Sequence, residues 1–550
     1  MATTQSDGTG TTVDYIIVGS GINALTCAAI LGKRGKSVLV LERENVAGGC
    51  MRSDEITVPG YRHDVMAATF VLFVTSPAYG ILGEDLARHG LEFAHTGSPT
   101  AVVRPNGDHL VLTTDRTANR AHFEALAEGE GARYEAEIEK VERDAGLIFG
   151  LLGGALWTRK TARLLFGEVR KRGTRGLAAR LGEGLRPARL WLENTFENEL
   201  SRALFAPWVL HAGLGPEQAF SGEMARVIAF ALEQAGAPVV RGGAGKIVSA
   251  FRALIEEQGG RILLEADVDK VRREAGKTRG VTLVDGRQFD ARQGVVASVT
   301  PNQLHERLLA EPSAKTDAVS AESAPRSPAS GYRYGKGNMQ IHYALKRPPR
   351  WNGEGLSDVA LVHLCAGIDA VSKAVNECDR GMLPERPTVC VGQPHALDPG
   401  RCPEGAGILW LQLPETPRFI KGDAAGTLET PADGTWSEPL REAYADRVEA
   451  ILREHIADLD DIVIKRTVHS PKDLEAMNVN LVGGDPYGGA CSIDQFFLWR
   501  PFTGSRNHET DVPGLYQIGA STHPGPGLGG GSGTMLAEHL TRSKRRIWPF

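Results

Sequence analysis

The sequence predicts an α/β fold, with a Rossmann-type dinucleotide-binding unit at its start and an interleaved α+β substrate domain. Residues 13–18 (VDYIIV) are a short β-branched run of the kind that forms a buried parallel strand. A glycine-rich turn at 19–24 and a helical segment follow at once, and a second apolar run at 37–41 ends at Glu42. Strand, tight turn, helix, strand and acid in this order are typical of dinucleotide-binding βαβ units.

Each small residue of the turn has a predicted role. Gly19 permits the tight turn, Gly21 lets the backbone approach a pyrophosphate, and Ala24 lets the helix pack closely on the sheet. The amides at the helix N-terminus then face the phosphates. Glu42 follows at the spacing where a carboxylate accepts hydrogen bonds from both ribose hydroxyls. The pattern therefore predicts a bound dinucleotide.

A double glycine, Gly48-Gly49, follows Glu42 and precedes Cys50, Met51, Arg52 and Ser53. NAD enzymes of this fold normally continue into another βαβ unit here. The arrangement resembles the extended flavoprotein signature of the amine oxidase and phytoene desaturase superfamily, in which this glycine pair approaches the pyrophosphate. The resemblance implies FAD as the cofactor and a fold of the glutathione reductase/amine oxidase type. Cys50 is interpreted as a small residue beside the glycine pair rather than a flavin attachment point.

The resemblance continues at the other end of the chain. Residues 13–49 look like bacterial phytoene desaturases and desaturase-type carotenoid ketolases, and 484–501 and 514–540 match that subgroup's C-terminal pattern. It implies adenine binding through the backbone of Val268, and a flavin lying against a glycine-rich turn before a helix from about Ser532. The cofactor-binding residues predicted in this way are Gly19, Ser20, Gly21, Asn23, Ala24, Glu42, Arg43, Gly48, Gly49, Arg52, Ser53, Val268, Gly519, Ala520, Gly527, Leu528 and Gly529.

At 550 residues the chain is too long for one hydrophobic core. We expect three parts of an FAD-binding domain, separated by two excursions that build the substrate domain. The predicted division is a disordered lead-in at 1–12, FAD-binding parts at 13–110, 236–302 and 481–550, a helical part facing substrate or membrane at 111–235, and a sheet with loops at 303–480.

Composition narrows the classes of function. A net charge of −5 does not suit a polycation that binds nucleic acid. The seven cysteines show no CxxC pair and no zinc-like spacing, so we expect reduced thiols, a cytoplasmic location and no metal site. The polar first residues lack the apolar core of a signal peptide, and no apolar run reaches 18 residues.

One segment, 145–189, has an unusual charge pattern. Residues 145–158 (AGLIFGLLGGALWT) are uncharged, and ten Lys/Arg with only two acids follow by residue 189. One interpretation is a buried helix followed by a solvated basic helix. The other is peripheral contact with a membrane, through apolar residues beside cations that meet anionic headgroups. Nucleic acid is a weaker alternative, because no aromatic residues are interleaved for base stacking.

The chemistry implied by the resemblance is hydride removal from a C–H bond of an apolar, lipid-like or terpenoid-like substrate. The alternatives are an oxidase or dehydrogenase of an amine or alicyclic molecule, and a flavin-binding scaffold without turnover. Candidate catalytic acid–base residues are His523 in the glycine turn, Asp494 before Arg500, and His63 after the double glycine. Each also has a structural interpretation: a backbone-bonded turn residue, a partner of Arg500, and a loop residue.

Overall fold

A computed structural model describes residues 12–310, 327–506 and 508–542. Within these ranges the chain forms two seven-stranded sheets, each packed against helices. The predicted disordered lead-in lies outside the described residues except for Thr12, which begins the first strand.

The first sheet contains the predicted βαβ unit. Its strands are β1 (Thr12–Val18), β2 (Val38–Leu41), β9 (Arg261–Leu263), β10 (Val268–Glu274), β11 (Lys277–Leu283), β12 (Gln288–Ala297) and β20 (Leu515–Gln517). They lie in the order β10-β11-β12-β1-β2-β9, with β20 beside β12. The strand β1 is parallel to both β2 and β12. Three segments that are far apart in the sequence therefore build one sheet.

Helices pack on this sheet through small and apolar side chains. They are α1 (Ile22–Lys33), α2 (Val71–Val74), α3 (Pro77–Arg88), α10 (Gly245–Glu257) and α16 (Gly531–Thr541). The helices α1 and α16 come so close that a Cβ on Gly533 would lie 2.0 Å from the carbonyl oxygen of Asn23. The first turn of α16 therefore lies directly against the first turn of α1.

The second sheet forms the substrate domain. Its strands are β6 (Thr100–Val103), β7 (His109–Leu112), β13 (Gly337–Leu345), β14 (Leu361–Leu364), β16 (Val389–Gly392), β17 (Gly407–Thr416) and β19 (Val463–His469). Their order is β19-β13-β17-β16-β14-β6-β7. Successive side chains of a strand point to opposite faces. Here both faces are covered, which explains why every residue of β13 is buried.

Different helices cover the two faces. The helix α13 (Glu438–Arg453) packs on one face. The other face meets α4 (Arg116–Glu124), α5 (Glu130–Leu152), α7 (Ala188–Thr195), α8 (Glu199–Phe205), α9 (Ser221–Ala235) and α11 (Ile368–Asp379). Short elements complete the described fold: β3 (Ser53–Asp54), β4 (His63–Asp64), β5 (Phe93–Ala94), β8 (Val239–Val240), β15 (Met382–Leu383), β18 (Gly422–Asp423), α12 (Pro394–Leu397), α14 (Leu459–Ile462) and α15 (Pro471–Met477).

The division at residue 110 differs from the sequence prediction. The hairpin β6–β7 was expected to belong to the first FAD-binding part, but β6 pairs in parallel with β14 of the second sheet. The boundary at 110 falls inside β7. The sequence could not show this pairing, because Thr100 of β6 pairs with Leu361 of β14, some 260 residues further along the chain.

The segment 145–189 forms the partly buried end of one helix and a basic helix that follows it. Its apolar start completes α5, where Leu147 and Ile148 are buried. A long helix, α6 (Arg159–Gly184), follows and is interrupted at Gly173, where φ is 74°. Arg172 pairs with Asp144 and Glu168, and Arg180 pairs with Asp144 and Glu223, so part of the basic excess is neutralised. Among the described helices, none combines the length and apolar character needed to cross a bilayer.

Candidate functional site

The turn between β1 and α1 has the geometry of a phosphate-binding loop. Gly19 has a φ of 91°, and a Cβ there would lie 3.2 Å from the carbonyl oxygen of Ser298, the residue that follows the neighbouring strand β12. Gly21 immediately precedes α1, and space is open where its Cβ would be. The first amides of α1 have no partner within the helix, so an anion placed beside Gly21 can accept hydrogen bonds from them.

Glu42 lies at the end of β2 and is only 7% exposed. Its carboxylate accepts hydrogen bonds from the Ser20 amide (3.0 Å), the Ser20 hydroxyl (2.6 Å) and the Glu44 amide (3.0 Å). A carboxylate has about four acceptor positions, so about one remains for a ligand. The predicted contact with both ribose hydroxyls therefore needs one of the existing bonds to rearrange.

The double glycine approaches the first turn from the other side. The Gly48 amide donates to the Ser20 hydroxyl oxygen at 2.9 Å. Gly48 and Gly49 have φ angles of 118° and 58°, and a Cβ on Gly49 would lie 3.4 Å from the Gly21 Cα. The two glycine loops are therefore in contact, and any larger residue at these positions would be strained.

These loops form one end of a cavity of about 440 Å³, a volume typical of small-molecule and cofactor sites. Most predicted cofactor-binding residues line it: Gly19, Ser20, Gly21, Asn23, Glu42, Arg43, Gly48, Gly49, Arg52, Val268, Gly519, Ala520, Gly527 and Leu528. Three predicted residues do not, namely Ala24, Ser53 and Gly529.

The three exceptions have packing or structural roles. Ala24 is buried inside α1, as its predicted packing role requires. The Ser53 hydroxyl donates a hydrogen bond to the Asp64 carboxylate (2.7 Å) and accepts one from the Gly245 amide (3.0 Å). Gly529 lies against Leu72, whose carbonyl oxygen would be 3.0 Å from an added Cβ.

The other end of the cavity is built by the second sheet and the helices that cover it. We call it the distal pocket; its residues are Trp208, His211, Ile228, Leu232, Asn338, Gln340, Leu361, Trp410 and Gln412. Sequence reasoning did not identify these residues. The sequence did contain a signal for this pocket. Polar or aromatic residues occupy alternate positions in two mainly apolar strands, namely Asn338 and Gln340 in β13 and Trp410 and Gln412 in β17.

Two histidines meet at the distal pocket. His211, in a 3₁₀ segment (Ala206–Ala212), has its Nε2 3.0 Å from Nε2 of His363 on β14. Burial lowers the pKa of His211 to about 4 and holds that of His363 well below its usual value, so both rings are neutral and one donates to the other.

The Cys390 thiol lies close to this pair. One potential metal-ligand atom from each of His211, His363 and Cys390 lies within 4.8 Å of the other two. No metal site was predicted, because the cysteines show no zinc-like spacing. Burial raises the pKa of the thiol, which disfavours the thiolate that metals bind.

None of the three predicted acid–base side chains lines the cavity. His523 Nε2 lies 2.9 Å from the Gly154 carbonyl oxygen, and burial lowers its pKa to about 4. Asp494 forms an exposed ion pair with Arg333 instead of the expected pair with Arg500. His63 is buried, with Nε2 2.7 Å from the Thr57 hydroxyl. The structure therefore brings none of the three to the position that their predicted roles require.

Arg500 has a different role, holding the wall of the cavity beside Gly519 and Ala520. Its guanidinium donates to the carbonyl oxygens of Tyr487 (2.7 Å), Ala490 (3.0 Å) and Ala520 (2.9 Å). The buried Asp485 carboxylate accepts from the backbone amides of Tyr487 and Gly489. The segment 484–501 therefore stabilises the loop around Tyr487 that lines the cavity.

Comparison with known proteins agrees with this geometry. Residues 17–82 match the family of NAD(P)-binding Rossmann-like domains. The chain is 25% identical to mouse (Mus musculus) pyridine nucleotide-disulfide oxidoreductase domain-containing protein 2, covering 97% of this chain and 94% of the relative. It is 24% identical to a limonene dehydrogenase component of Castellaniella defragrans and to a neurosporene-forming phytoene desaturase of Cereibacter sphaeroides, each match covering 97% of this chain and 96% of the relative.

The fold is also that of a solved structure. Wild-type putrescine oxidase bound to putrescine superposes with a TM-score of 0.58 at 14% identity, over 96% of this chain and 98% of that one. At this identity the likeness concerns the fold. The chain is a Rossmann-like oxidoreductase related to the phytoene desaturases, and it shares its fold with the amine oxidase whose structure is solved.

Proposed function

We propose that the protein is an FAD-dependent oxidoreductase that dehydrogenates a mainly apolar, lipid-like or terpenoid-like molecule. The observation that carries the proposal is the continuous cavity, which joins two facing glycine loops to a distal pocket rich in apolar and aromatic side chains. The names of the relatives support it, since one is a component of limonene dehydrogenase and another is a phytoene desaturase.

The residues present fit the cofactor. The open space at Gly21 and the free amides of α1 suit the pyrophosphate, and the remaining acceptor position of Glu42 suits a ribose hydroxyl. Val268, at the start of β10, lines the cavity beyond Glu42, where an adenine can meet backbone groups. Gly519, Ala520, Gly527 and Leu528 line the cavity, and their small or apolar side chains suit contact with the flavin ring.

Bound FAD supplies a hydride acceptor. The chain has to hold the substrate's C–H bond towards it and exclude water, and the distal pocket does both through Trp208, Ile228, Leu232, Leu361 and Trp410. Forming a carbon–carbon double bond also releases a proton from the adjacent carbon. Among the described residues of the distal pocket, His211 is the titratable one, and as a neutral imidazole it can receive this proton.

The distal pocket favours a neutral substrate over an amine. Among its residues as described there is no Asp or Glu to pair with an ammonium group. A cation placed in such a site would lose its hydration without gaining a counter-ion, which is costly. We therefore place dehydrogenation of a neutral skeleton ahead of amine oxidation.

Anaerobic reduction of the bound flavin tests the proposed reaction. Limonene or phytoene should bleach the flavin band at about 450 nm, whereas cyclohexylamine should not. Photoreduction of the same sample is the control that shows the flavin to be competent. Bleaching by the amine alone would contradict the proposed substrate class, and a photoreducible flavin untouched by every compound would favour a non-catalytic scaffold.

A second part of the proposal concerns the membrane. The helix α6 presents Phe166, 69% exposed, together with the exposed cations Arg163, Arg170, Lys171 and Arg175. Trp157, just before the helix, is 51% exposed. Large apolar side chains among cations suit peripheral contact with anionic lipid, from which a water-insoluble substrate can be drawn.

A further inference from the structure

Two histidines and a cysteine from three separate elements converge beside the distal pocket. His363 on β14 is the direct cross-strand partner of Cys390 on β16, and directly opposed residues point to the same face of a sheet. His211 reaches them from the 3₁₀ segment, with its Nε2 3.0 Å from Nε2 of His363. We call His211, His363 and Cys390 the His-His-Cys cluster.

The spacing of the cluster suits three ligands of one metal ion. One nitrogen or sulfur atom from each residue lies within 4.8 Å of the other two. Metal bonds of about 2.1 Å to imidazole and about 2.3 Å to thiolate, at trigonal angles, separate their ligand atoms by about 3.8 Å. Side-chain shifts of about 1 Å or less therefore bring all three atoms to a single ion.

The cluster is buried, but one of its members reaches the cavity. His363 and Cys390 are each only 1% exposed. His211 is half-buried and lines the cavity, which gives an ion a path to the other two residues. An ion needs only the space between the three ligand atoms, so the cluster does not have to open as a substrate pocket would.

The surroundings of the cluster carry no compensating charge. Burial lowers the pKa of both histidines and raises the pKa of the Cys390 thiol. The other influence on these pKa values is that of His211 on His363, so no charged side chain among the described residues shifts any of them. The three side chains are therefore neutral until an ion binds.

This charge balance discriminates between ions. Two neutral imidazoles and one thiolate around a divalent cation leave a buried net charge of +1, which is costly without a counter-ion. Around a monovalent cation the same ligands give a neutral complex. Thiolate is a soft ligand that favours Cu⁺, and imidazole also binds copper. Ligand type and charge therefore select the same ion.

We propose that the His-His-Cys cluster is a binding site for a soft monovalent cation, Cu⁺. One Cu–S bond and two Cu–N bonds form, the S–H bond of Cys390 breaks, and its proton passes to solvent. The imidazole that carried a proton on Nε2 carries it on Nδ1 instead. The copper stays Cu⁺ throughout, so no oxidant or reductant is needed.

A consequence for the reaction rests on the proposed function. When His211 coordinates the ion through Nε2, its Nδ1 carries the remaining proton, and the ring can no longer receive one from the substrate. Bound Cu⁺ should therefore slow reduction of the flavin by substrate without displacing FAD. The site would make the enzyme sensitive to copper.

Anaerobic titration of the FAD-loaded protein with Cu⁺ in the presence of bicinchoninate, a coloured Cu⁺ chelator, tests the site. The wild type should remove one Cu⁺ per chain from the chelator and release one proton per ion. Its affinity should rise about tenfold per pH unit, because the thiol must lose its proton. Wild type that takes no Cu⁺, or that binds Zn²⁺ more tightly than Cu⁺, would overturn the inference.

A pair of cysteine variants assigns the ion to the cluster. Cys390→Ala should weaken Cu⁺ binding at least about tenfold, since even residues outside the ligand set change metal affinity by about 10–100-fold. Cys378→Ala is the matched control, because Cys378 is another buried free thiol, on α11 and outside the cluster, and this variant should bind as wild type does. Retained FAD shows that each variant is folded. Equal affinities of the two variants would overturn the inference.

The binding measurements need no substrate, which separates this inference from the proposed function. If the cluster binds Cu⁺ but no compound reduces the flavin, the site stands and the proposed function fails. If limonene or phytoene reduces the flavin but the protein takes up no Cu⁺, the proposed function stands and the site fails. Flavin reduction that bound Cu⁺ leaves unchanged would contradict the role of His211 as proton acceptor.

Discussion

At the scale of single residues, Glu42 connects the two halves of the nucleotide site. Its carboxylate holds Ser20, and the Ser20 hydroxyl in turn accepts from the amide of Gly48 in the second glycine loop. The sequence pattern predicted the acid but not this chain of bonds, since nothing in the spacing of Glu42 marks Ser20 as its partner. Glu42 therefore shapes the two glycine loops as well as lining the cavity.

Glu42→Ala should weaken FAD binding at least about tenfold while the protein stays folded. The change removes charge-assisted hydrogen bonds, each with a net contribution of about 1.5–3 kcal/mol. The measurement is the dissociation constant of FAD, obtained by titrating the apoprotein. Glu84→Ala, at an exposed position of α3, is the matched control and should bind as wild type does. If Glu42→Ala also binds FAD as tightly as wild type, the proposed position of the ribose is wrong.

The acid–base candidates show the limit of prediction for single side chains. His523 lies in a turn next to the cavity wall, near its predicted location, because its neighbours Ser521 and Pro526 line the cavity. Its ring points instead to Gly154, a residue of the helical excursion. The direction of a side chain depends on such distant partners, and sequence spacing does not contain them.

At the scale of elements, the glycine turns were predictable because a tight turn before a buried helix restricts residue type locally. Gly19, Gly48, Gly49, Gly519 and Gly527 all have positive φ angles, which favour glycine. The sheet at 303–480 was expected in the substrate domain, but the residues of the distal pocket were not identified, since they come from strands that are separated in sequence and from helices of the other excursion. The alternation of amide and apolar residues on β13 was the available signal.

The helix α6 carries a prediction of its own. The protein should co-sediment with phosphatidylserine vesicles at low salt and dissociate as salt rises, because screening weakens the attraction of cations to lipid headgroups. Reversing Arg163, Arg170, Lys171 and Arg175 to Glu should abolish binding, since each cation contributes about 1 kcal/mol. Arg172 is left intact because it pairs with Asp144 and Glu168.

A matched control separates a local surface from total charge. Reversing four exposed cations elsewhere, Arg34, Lys270, Lys277 and Lys465, changes the net charge by the same amount and should leave vesicle binding largely intact. If wild type ignores the vesicles, or if both variants lose binding equally, α6 is a solvated helix and the membrane proposal fails.

At the scale of the whole molecule, the interleaving of two domains followed from the sequence. The first sheet is assembled from residues near 12–41, 261–297 and 515–517, close to the predicted parts. The placement of the hairpin β6–β7 did not follow, because its partner β14 belongs to a later excursion. Local patterns therefore identified the nucleotide-binding sheet, whereas long-range pairing decided which residues surround the substrate.

The central claim is that the cavity holds FAD, and the most direct measurement is the absorption spectrum of the purified protein after reconstitution with FAD. The account predicts flavin bands at about 370 and 450 nm that stay with the protein through desalting. Denaturation should release a flavin identified by mass as FAD, because we expect the cofactor to be bound without a covalent bond. A reconstituted protein that retains no flavin, or retains NAD in its place, would contradict the account.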